Sequence, residues 1–244
     1  MANFKTCVLL WFVIDVTSAL DGTEDHTKLL TVKQILDGSV IRSCPGIDIY
    51  PHVVLTSAFC LRTESNSTKI IVQGPGYKYT NVTATIHPDY EENTHSDIGV
   101  IKINGEEAFK SKSRRIPLVP DVELVGRFGH TKPTMYNVSI SLNDCDFCMV
   151  EIDERYLLCT WPLTEKPELD SGTPLFIRNI YTTDPENEFA IIAIYTNFNY
   201  YTNLYCNEFP DRPLIFTLIY PHLEWVAKVA NISYSLANGW PRIS

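Results

Sequence analysis

Short apolar runs separated by turn-forming residues dominate the chain, and few of them have the spacing of an amphipathic helix. One run alternates: Val82, Ala84 and Ile86 recur at every second position, which places them on one face of a strand. Many short strands without helices between them indicate an all-β barrel or sandwich. Further strands are predicted at residues 53–56, 69–72, 97–103, 136–140, 174–177 and 189–195.

One segment near the C-terminus has helical periodicity. Apolar residues recur there at i, i+3, i+4 and i+7, which gives a helix one apolar face. Pro221 suits the first turn of such a helix. We therefore expect one C-terminal helix that packs on the β structure through Leu223, Val226, Ala227 and Ala230.

The first residues have the organisation of a secretory signal peptide. Lys5 provides a positive charge, an apolar run follows at residues 7–14, and small residues precede a cleavage point after Ala19. A membrane anchor is the alternative, but the run is shorter than the ~20 apolar residues that span a bilayer, and Asp15 ends it. We predict a signal peptide at residues 1–19 and a secreted mature chain.

Composition narrows the classes of function. The 244 residues are 45% hydrophobic and 20% charged, as in an ordinary globular protein. The formal net charge of −9 argues against a nucleic-acid partner, which requires a basic surface. No later segment is long and apolar enough to span a bilayer, so we expect no membrane association. We also expect no cofactor.

Glycosylation and disulfide formation are both expected on the secretory route. Four Asn-x-Ser/Thr sequons are glycan acceptors there, at Asn66, Asn81, Asn137 and Asn231. Without the signal peptide the chain has an even number of cysteines, which favours disulfides in an oxidising compartment. They are Cys44, Cys60, Cys145, Cys148, Cys159 and Cys206.

The pair Cys145 and Cys148 also has the C-x-x-C spacing of a zinc site. A structural zinc site needs a second pair of ligands with similar spacing, and the chain has none. We therefore expect no metal.

Residues 43–46 and 53–60 carry a resemblance to the trypsin-like serine proteases of the chymotrypsin fold, peptidase family S1. Those proteases have Cys-Gly-Gly, a strand, and then Val-Leu-Thr-Ala-Ala-His-Cys. Phe59 stands where the family has its catalytic histidine.

Further landmarks follow in the family's order. Residues 87–90 and 96–102 are similar to its His-Pro-x-Tyr and Asn-Asp-Ile-Ala-Leu-Ile-Lys, with Asp97 at the catalytic aspartate. Residues 169–175 are similar to Gly-Asp-Ser-Gly-Gly-Pro-Leu, with Ser171 at the nucleophile.

Residues 213–217 and Trp225 are similar to the family's last strand and helix. The resemblance covers roughly residues 30–234. It implies an all-β fold of two antiparallel six-stranded β-barrels, with the triad cleft between them and a C-terminal α-helix. The predicted domain is residues 20–244, without the family's N-terminal activation segment.

The resemblance implies a catalytic triad that lacks its base and therefore cannot activate the serine. A serine is a weak nucleophile until a neighbouring base takes its proton, and the side chain of Phe59 carries no titratable atom. Asp97 and Ser171 are then vestigial: the aspartate is kept because it caps backbone amides, and the serine because it fits a sharp turn. Neither His52 nor His87 is expected to reach Ser171.

Beside the serine, one residue departs from the family and another lacks its usual partner. Leu169 replaces a glycine whose N–H is a donor in the oxyanion hole, where the backbone must approach the substrate closely. Asp170 lacks the α-amino group that zymogen cleavage creates in active members. A buried unpaired carboxylate is costly, so we expect residues 165–171 to be repacked or zymogen-like.

The family pattern also implies a disulfide framework. Cys44–Cys60 matches one bridge, and Cys145–Cys159 resembles the loop bridge of the second barrel. Cys148 and Cys206 remain, and they form either a new bridge or free or intermolecular thiols.

The interpretation is a secreted, inactive serine protease homologue that acts by binding a protease, an inhibitor or a peptide, and that is a monomer. A residual serine endopeptidase that uses Ser171 is the alternative, whereas a glycan- or surface-binding module has no residue in its favour. Aromatic residues near the expected cleft either anchor a partner or pack locally; they are Tyr195, Phe198, Tyr200 and Tyr201.

Overall fold

The computed structural model describes residues 29–74, 76–91, 96–105, 128–131, 136–140, 155–162, 168–178, 189–196 and 214–233. The predicted signal peptide lies outside these residues. Those that are described form antiparallel strands and a short C-terminal α-helix. No helix among them is long and apolar enough to cross a membrane.

Seven strands form the first sheet, in the spatial order β5-β4-β1-β2-β3-β7-β6. Only Thr80 and Asn81 separate the two end strands in the chain, and β6 also contacts β4, so the sheet curls toward closure. Its interior is an apolar cluster centred on Val54, Val72 and Ile101. The strands are β1 (Leu30–Leu36), β2 (Ser39–Tyr50), β3 (Val53–Thr56), β4 (Lys69–Gly74), β5 (Tyr77–Tyr79), β6 (Val82–Ile86) and β7 (Gly99–Ile103).

A two-residue turn joins β1 to β2. Asp37 and Gly38 both have positive φ, 50° and 81°, as the tight hairpin turns that match strand twist require. Leu36 pairs with Ser39 across the turn. The Asp-Gly pair was a readable hairpin signal in the sequence, although neither strand was among those predicted.

Six strands close into the second barrel, in the order β10-β13-β12-β11-β8-β9. Its core includes Leu158, Ile177 and Phe216, which are at most 2% exposed. The strands are β8 (Phe128–Thr131), β9 (Tyr136–Ile140), β10 (Leu157–Pro162), β11 (Pro174–Arg178), β12 (Phe189–Tyr195) and β13 (Leu214–Leu218). The predicted all-β double barrel with a C-terminal helix is confirmed.

The helix α1 (Leu223–Ala230) buries the four predicted residues Leu223, Val226, Ala227 and Ala230. It ends at Asn231, whose left-handed backbone lets its N–H donate to the last carbonyls. The interpretation of Pro221 was wrong in detail, because it lies in a separate 3₁₀ turn (Tyr220–His222) before the helix.

A third apolar cluster joins the helix to both barrels. It contains Leu55 and Val100 from the first sheet, Phe176 and Ile194 from the second, and Val226 from the helix. Apolar burial of this kind stabilises by about 25 cal/mol per Å² removed from water. The cluster therefore fixes how the strand ends of the two barrels face each other.

Candidate functional site

The segment that carries Phe59 is a 3₁₀ turn (Ala58–Cys60) directly after β3. A disulfide of Cys60 with Cys44 ties the turn to β2, with Cα atoms 6.1 Å apart, and confirms that predicted bridge. The buried Gln34 of β1 donates from Nε2 to the carbonyl oxygens of Cys60 and Arg62, each at 2.9 Å. The turn is thus held from two neighbouring strands.

Asp97 lies between β6 and β7 and is only 2% exposed. Its carboxylate accepts hydrogen bonds from the hydroxyl of Ser57 at 2.7 Å, from the backbone N–H of Phe59 at 2.8 Å, and from the hydroxyl of Thr196. Burial raises the pKa of Asp97 above the ordinary 3.8, and these hydrogen bonds oppose the rise. The carboxylate joins the two barrels, because Thr196 directly follows β12 of the second one.

Phe59 is half-buried, and a cation covers its ring. The guanidinium carbon of Arg42 lies 4.2 Å from the ring centroid, within the range of a cation–π contact. Nη1 of the same guanidinium donates to the carbonyl oxygens of Phe59 at 2.6 Å and Arg62 at 3.1 Å. Arg42 therefore holds both the backbone and the side chain at the position of the expected base.

Ser171 begins a tight turn just before β11, where it is 5% exposed. Gly172 follows with φ of +96°, and a Cβ there would lie 2.5 Å from the carbonyl oxygen of Pro45. Thr173 closes the turn by donating to the Asp170 carbonyl, from its N–H at 3.0 Å and from its hydroxyl at 2.7 Å. The serine therefore lies on a sharp turn of the second barrel, pressed against the first.

The turn meets the disulfide of the first barrel. The Cys60 sulfur lies 3.2 Å from the carbonyl oxygen of Ser171. Phe59, Asp97 and Ser171 thus come from different elements and gather where the two barrels meet, as the resemblance implied.

The two residues before the serine have different surroundings. Leu169 is half-buried and packs with Tyr195 against the core of the second barrel. Asp170 is exposed, so its carboxylate does not carry the cost of a buried, unpaired charge that was expected from the sequence. The rest of the predicted repacked loop, residues 165–167, lies outside the described residues.

The fold agrees with the comparisons with known proteins. The trypsin family model matches residues 23–134. The chain has the chymotrypsin fold of the trypsin-like proteins. Kallikrein-related peptidase 10 superimposes on 83% of this trypsin-like chain, over 95% of its own length, with a TM-score of 0.58 and 16% identity.

The complex of kallikrein-related peptidase 10 with Zn²⁺ gives similar values: 82% and 95% coverage, a TM-score of 0.57 and 15% identity. Identities this low support the fold alone. A search of the curated proteins found no match to the trypsin-like chain.

The two histidines considered from the sequence, His52 and His87, lie in local packing contacts or turns of the trypsin-like chain. His87 accepts the Asp89 N–H at Nδ1 and packs 4.7 Å from the rings of both His222 and Trp225. His52 lies between β2 and β3, with φ of 68° and a buried Nδ1. In the part of the chain that is described, no group of three or more His, Cys, Asp or Glu side chains could hold a metal ion.

The remaining predicted sites are placed only in part. Cys159 is disulfide-bonded, while Cys145, Cys148 and Cys206 lie outside the described residues. Three sequon asparagines are exposed, Asn66, Asn81 and Asn231; Asn137 lies in β9, and its side chain is not described.

Of the aromatic residues considered as anchors, only Tyr195 is described. Its ring lies 5.5 Å from that of Phe216 and packs on the barrel core, in agreement with the local-packing interpretation. Phe198, Tyr200 and Tyr201 lie outside the described residues.

Four residues that shape the junction were not singled out from the sequence: Gln34, Arg42, Ser57 and Thr196. A readable signal existed for Ser57, which is a hydroxyl residue at an alanine position of the family motif. No comparable signal exists for Arg42 or Gln34, because their partners are backbone carbonyls in a distant turn.

Proposed function

We propose that this trypsin-like chain is a secreted, glycosylated and catalytically inactive serine protease homologue that acts by binding protein in an extracellular protease network. The observation that carries the proposal is the surroundings of Phe59. An aromatic ring capped by the guanidinium of Arg42 occupies the position of the expected base, and the backbone N–H of the same residue donates a hydrogen bond to Asp97. Neither side chain can take the proton of the Ser171 hydroxyl and return it to a leaving group.

The loss is large on the scale of enzymatic catalysis. Removing the histidine of a serine protease triad lowers kcat by about 10⁶-fold. At about 1.4 kcal/mol for each tenfold, this corresponds to roughly 8 kcal/mol of activation free energy. An improvement in substrate binding does not replace a missing proton-transfer group, so hydrolysis should fall to a negligible rate.

A role in binding is supported by the surface beside the junction. Val40 and Ile41 of β2 are 53% and 47% exposed, and Arg42 is the next residue in the strand. Exposed large apolar side chains beside an arginine offer apolar area and charge that a protein partner can bury. The proposed partner is a protease, an inhibitor or a peptide.

Secretion and glycosylation are supported by the chemistry of the described surface. The Cys44–Cys60 bridge and the bonded Cys159 are of the kind that forms and persists in an oxidising compartment such as the secretory route. Asn66, Asn81 and Asn231 are exposed, as acceptors of a bulky glycan must be.

The decisive experiment treats the protein, purified from a secreting cell, with a fluorophosphonate probe. We expect no adduct on Ser171, with labelling equal to that of the Ser171→Ala variant, while an active trypsin in the same tube is labelled fully. An adduct on Ser171 that is absent from the variant would overturn the inactive assignment and favour the residual endopeptidase.

The binding role is tested by cross-linking in the native secretion, followed by mass spectrometry. A partner captured by the unmodified chain should be lost from a Val40→Asp/Ile41→Asp variant. Tyr220→Asp is the matched control, because Tyr220 is also a large exposed side chain, at 43%, on another element. Equal capture by both variants would show that the β2 surface is not used.

A further inference from the structure

Ser57 makes an unusual contact with the aspartate of the former triad. Its hydroxyl oxygen lies 2.7 Å from each of the two carboxylate oxygens of Asp97. The exposed fractions are 0% for Ser57 and 2% for Asp97, so water does not compete for this hydrogen bond. The pair joins the first residue after β3 to the segment before β7.

The position of this serine in the motif gives the contact its meaning. The family pattern Thr-Ala-Ala-His-Cys corresponds here to Thr56-Ser57-Ala58-Phe59-Cys60. Relative to that pattern, a donor side chain is absent at one position and a new donor stands two residues earlier in the same turn. Both changes concern the same carboxylate.

We infer that the Ser57 hydroxyl has replaced the imidazole as the side-chain donor to Asp97 from this turn. The inference rests on the proposed loss of catalysis and makes Ser57 a positioning residue of the inactive site. An exchange of this kind keeps a buried carboxylate hydrogen-bonded after its ring partner has gone, and an unsatisfied one would destabilise the fold.

The replacement has a consequence for reactivation. Asp97 already accepts the Phe59 N–H on Oδ1 and the Thr196 hydroxyl on Oδ2, and Ser57 lies within hydrogen-bond distance of both oxygens. An imidazole introduced at position 59 would compete for the carboxylate with Ser57, which already lies 2.7 Å from both oxygens. We therefore expect the histidine alone to give a weaker aspartate–imidazole pair than the histidine combined with removal of the Ser57 hydroxyl.

The test compares Phe59→His with the double variant Ser57→Ala/Phe59→His. The pKa of the introduced imidazole is measured by NMR titration, with and without Asp97→Asn. In the double variant we expect Asp97 to raise that pKa by about one unit or more, as an opposite charge at 4–6 Å does. In the single variant the Asp97→Asn change should move the pKa much less. Ser67→Ala/Phe59→His is the control, because Ser67 is exposed and lies outside the Asp97 hydrogen bonds.

Two results would overturn the inference. One is an imidazole already coupled to Asp97 in the single variant, and the other is a double variant in which Asp97 has no more effect than in the single one. The fluorophosphonate experiment on the unmodified protein tests the proposed function separately, so the two failures are distinguishable.

A second measurement needs no introduced histidine. In the natural background, Ser57→Ala should lower the thermal midpoint, and it should lower it clearly less when Asp97→Asn is already present. Equal reductions in both backgrounds would mean that Ser57 acts independently of the carboxylate, which contradicts the inference.

Discussion

Gly172 lies where the two barrels meet at the site, and replacing it should reveal how tightly they fit. At Gly172 an added Cβ would lie 2.5 Å from the Pro45 carbonyl oxygen and 2.7 Å from the Thr56 hydroxyl oxygen. Both neighbours are held in place, since the Thr56 hydroxyl donates to that same carbonyl at 2.7 Å. Gly172→Ala therefore cannot be accommodated by the rotation of one free side chain.

The loss of unfolding free energy expected for Gly172→Ala has two parts. A non-glycine residue with positive φ costs about 1–2 kcal/mol. Overpacking of a well-filled contact adds about 1–3 kcal/mol. The free energy of unfolding should therefore fall by about 2–5 kcal/mol, a large share of the ~5–15 kcal/mol that stabilises a typical domain.

Gly38→Ala provides the matched control. Gly38 has a similar φ of +81°, but nothing lies within 4 Å of an added Cβ. It should show only the conformational part, about 1–2 kcal/mol. Both variants are measured by urea denaturation with the disulfides intact. Equal losses in the two variants would refute the idea that Gly172 is pressed against the first barrel.

Three other variants test the remaining contacts of the junction. Arg42→Met should lower the free energy of unfolding by about 1–3 kcal/mol in denaturant titrations, because it removes two charged hydrogen bonds and the cation over Phe59; an unchanged midpoint would contradict it. Replacing Cys44 and Cys60 together by alanine should cost about 3 kcal/mol, as expected for a bridge with a sequence separation of 16, and a loss below half of that would count against it. Because burial raises the pKa of Asp97, its contribution to stability is fully present below pH 3.8 and declines as the pH rises toward the folded value. In thermal melts at a series of pH values, the natural protein should therefore lose stability relative to Asp97→Asn as the pH rises from 3.8 to the folded pKa of Asp97. A gain in relative stability over the same pH range would contradict a raised pKa.

Local patterns were sufficient for much of the fold. The apolar spacing of α1 predicted its buried face residue by residue, and the continuous runs at β3, β9 and β12 predicted those strands with their observed bounds. These signals are local because side-chain direction in a helix or strand repeats every few residues. The order of landmarks then predicted the double barrel, which no single motif could do.

The site was predictable only where a residue type is itself the signal. Phe59 is such a case, since the resemblance aligns it with the family's histidine and its ring has no titratable atom. Arg42 is not, because its partners are a ring and carbonyls that come close only after β2 and the 3₁₀ turn are folded together. Thr196 reaches Asp97 from 99 positions away in the chain, a pairing that no local pattern encodes.

The hydrogen bonds of Asp97 also explain why an inactive homologue would keep a catalytic aspartate. The carboxylate accepts donors from the turn of the first barrel and from Thr196 of the second, so it links the two barrels where they meet. Substituting a hydrophobic residue would leave the Ser57 and Thr196 hydroxyls and the Phe59 N–H without their acceptor in a buried position. Each such loss costs about 1–3 kcal/mol, which is enough to favour keeping the aspartate even in a homologue that has no histidine for it to orient.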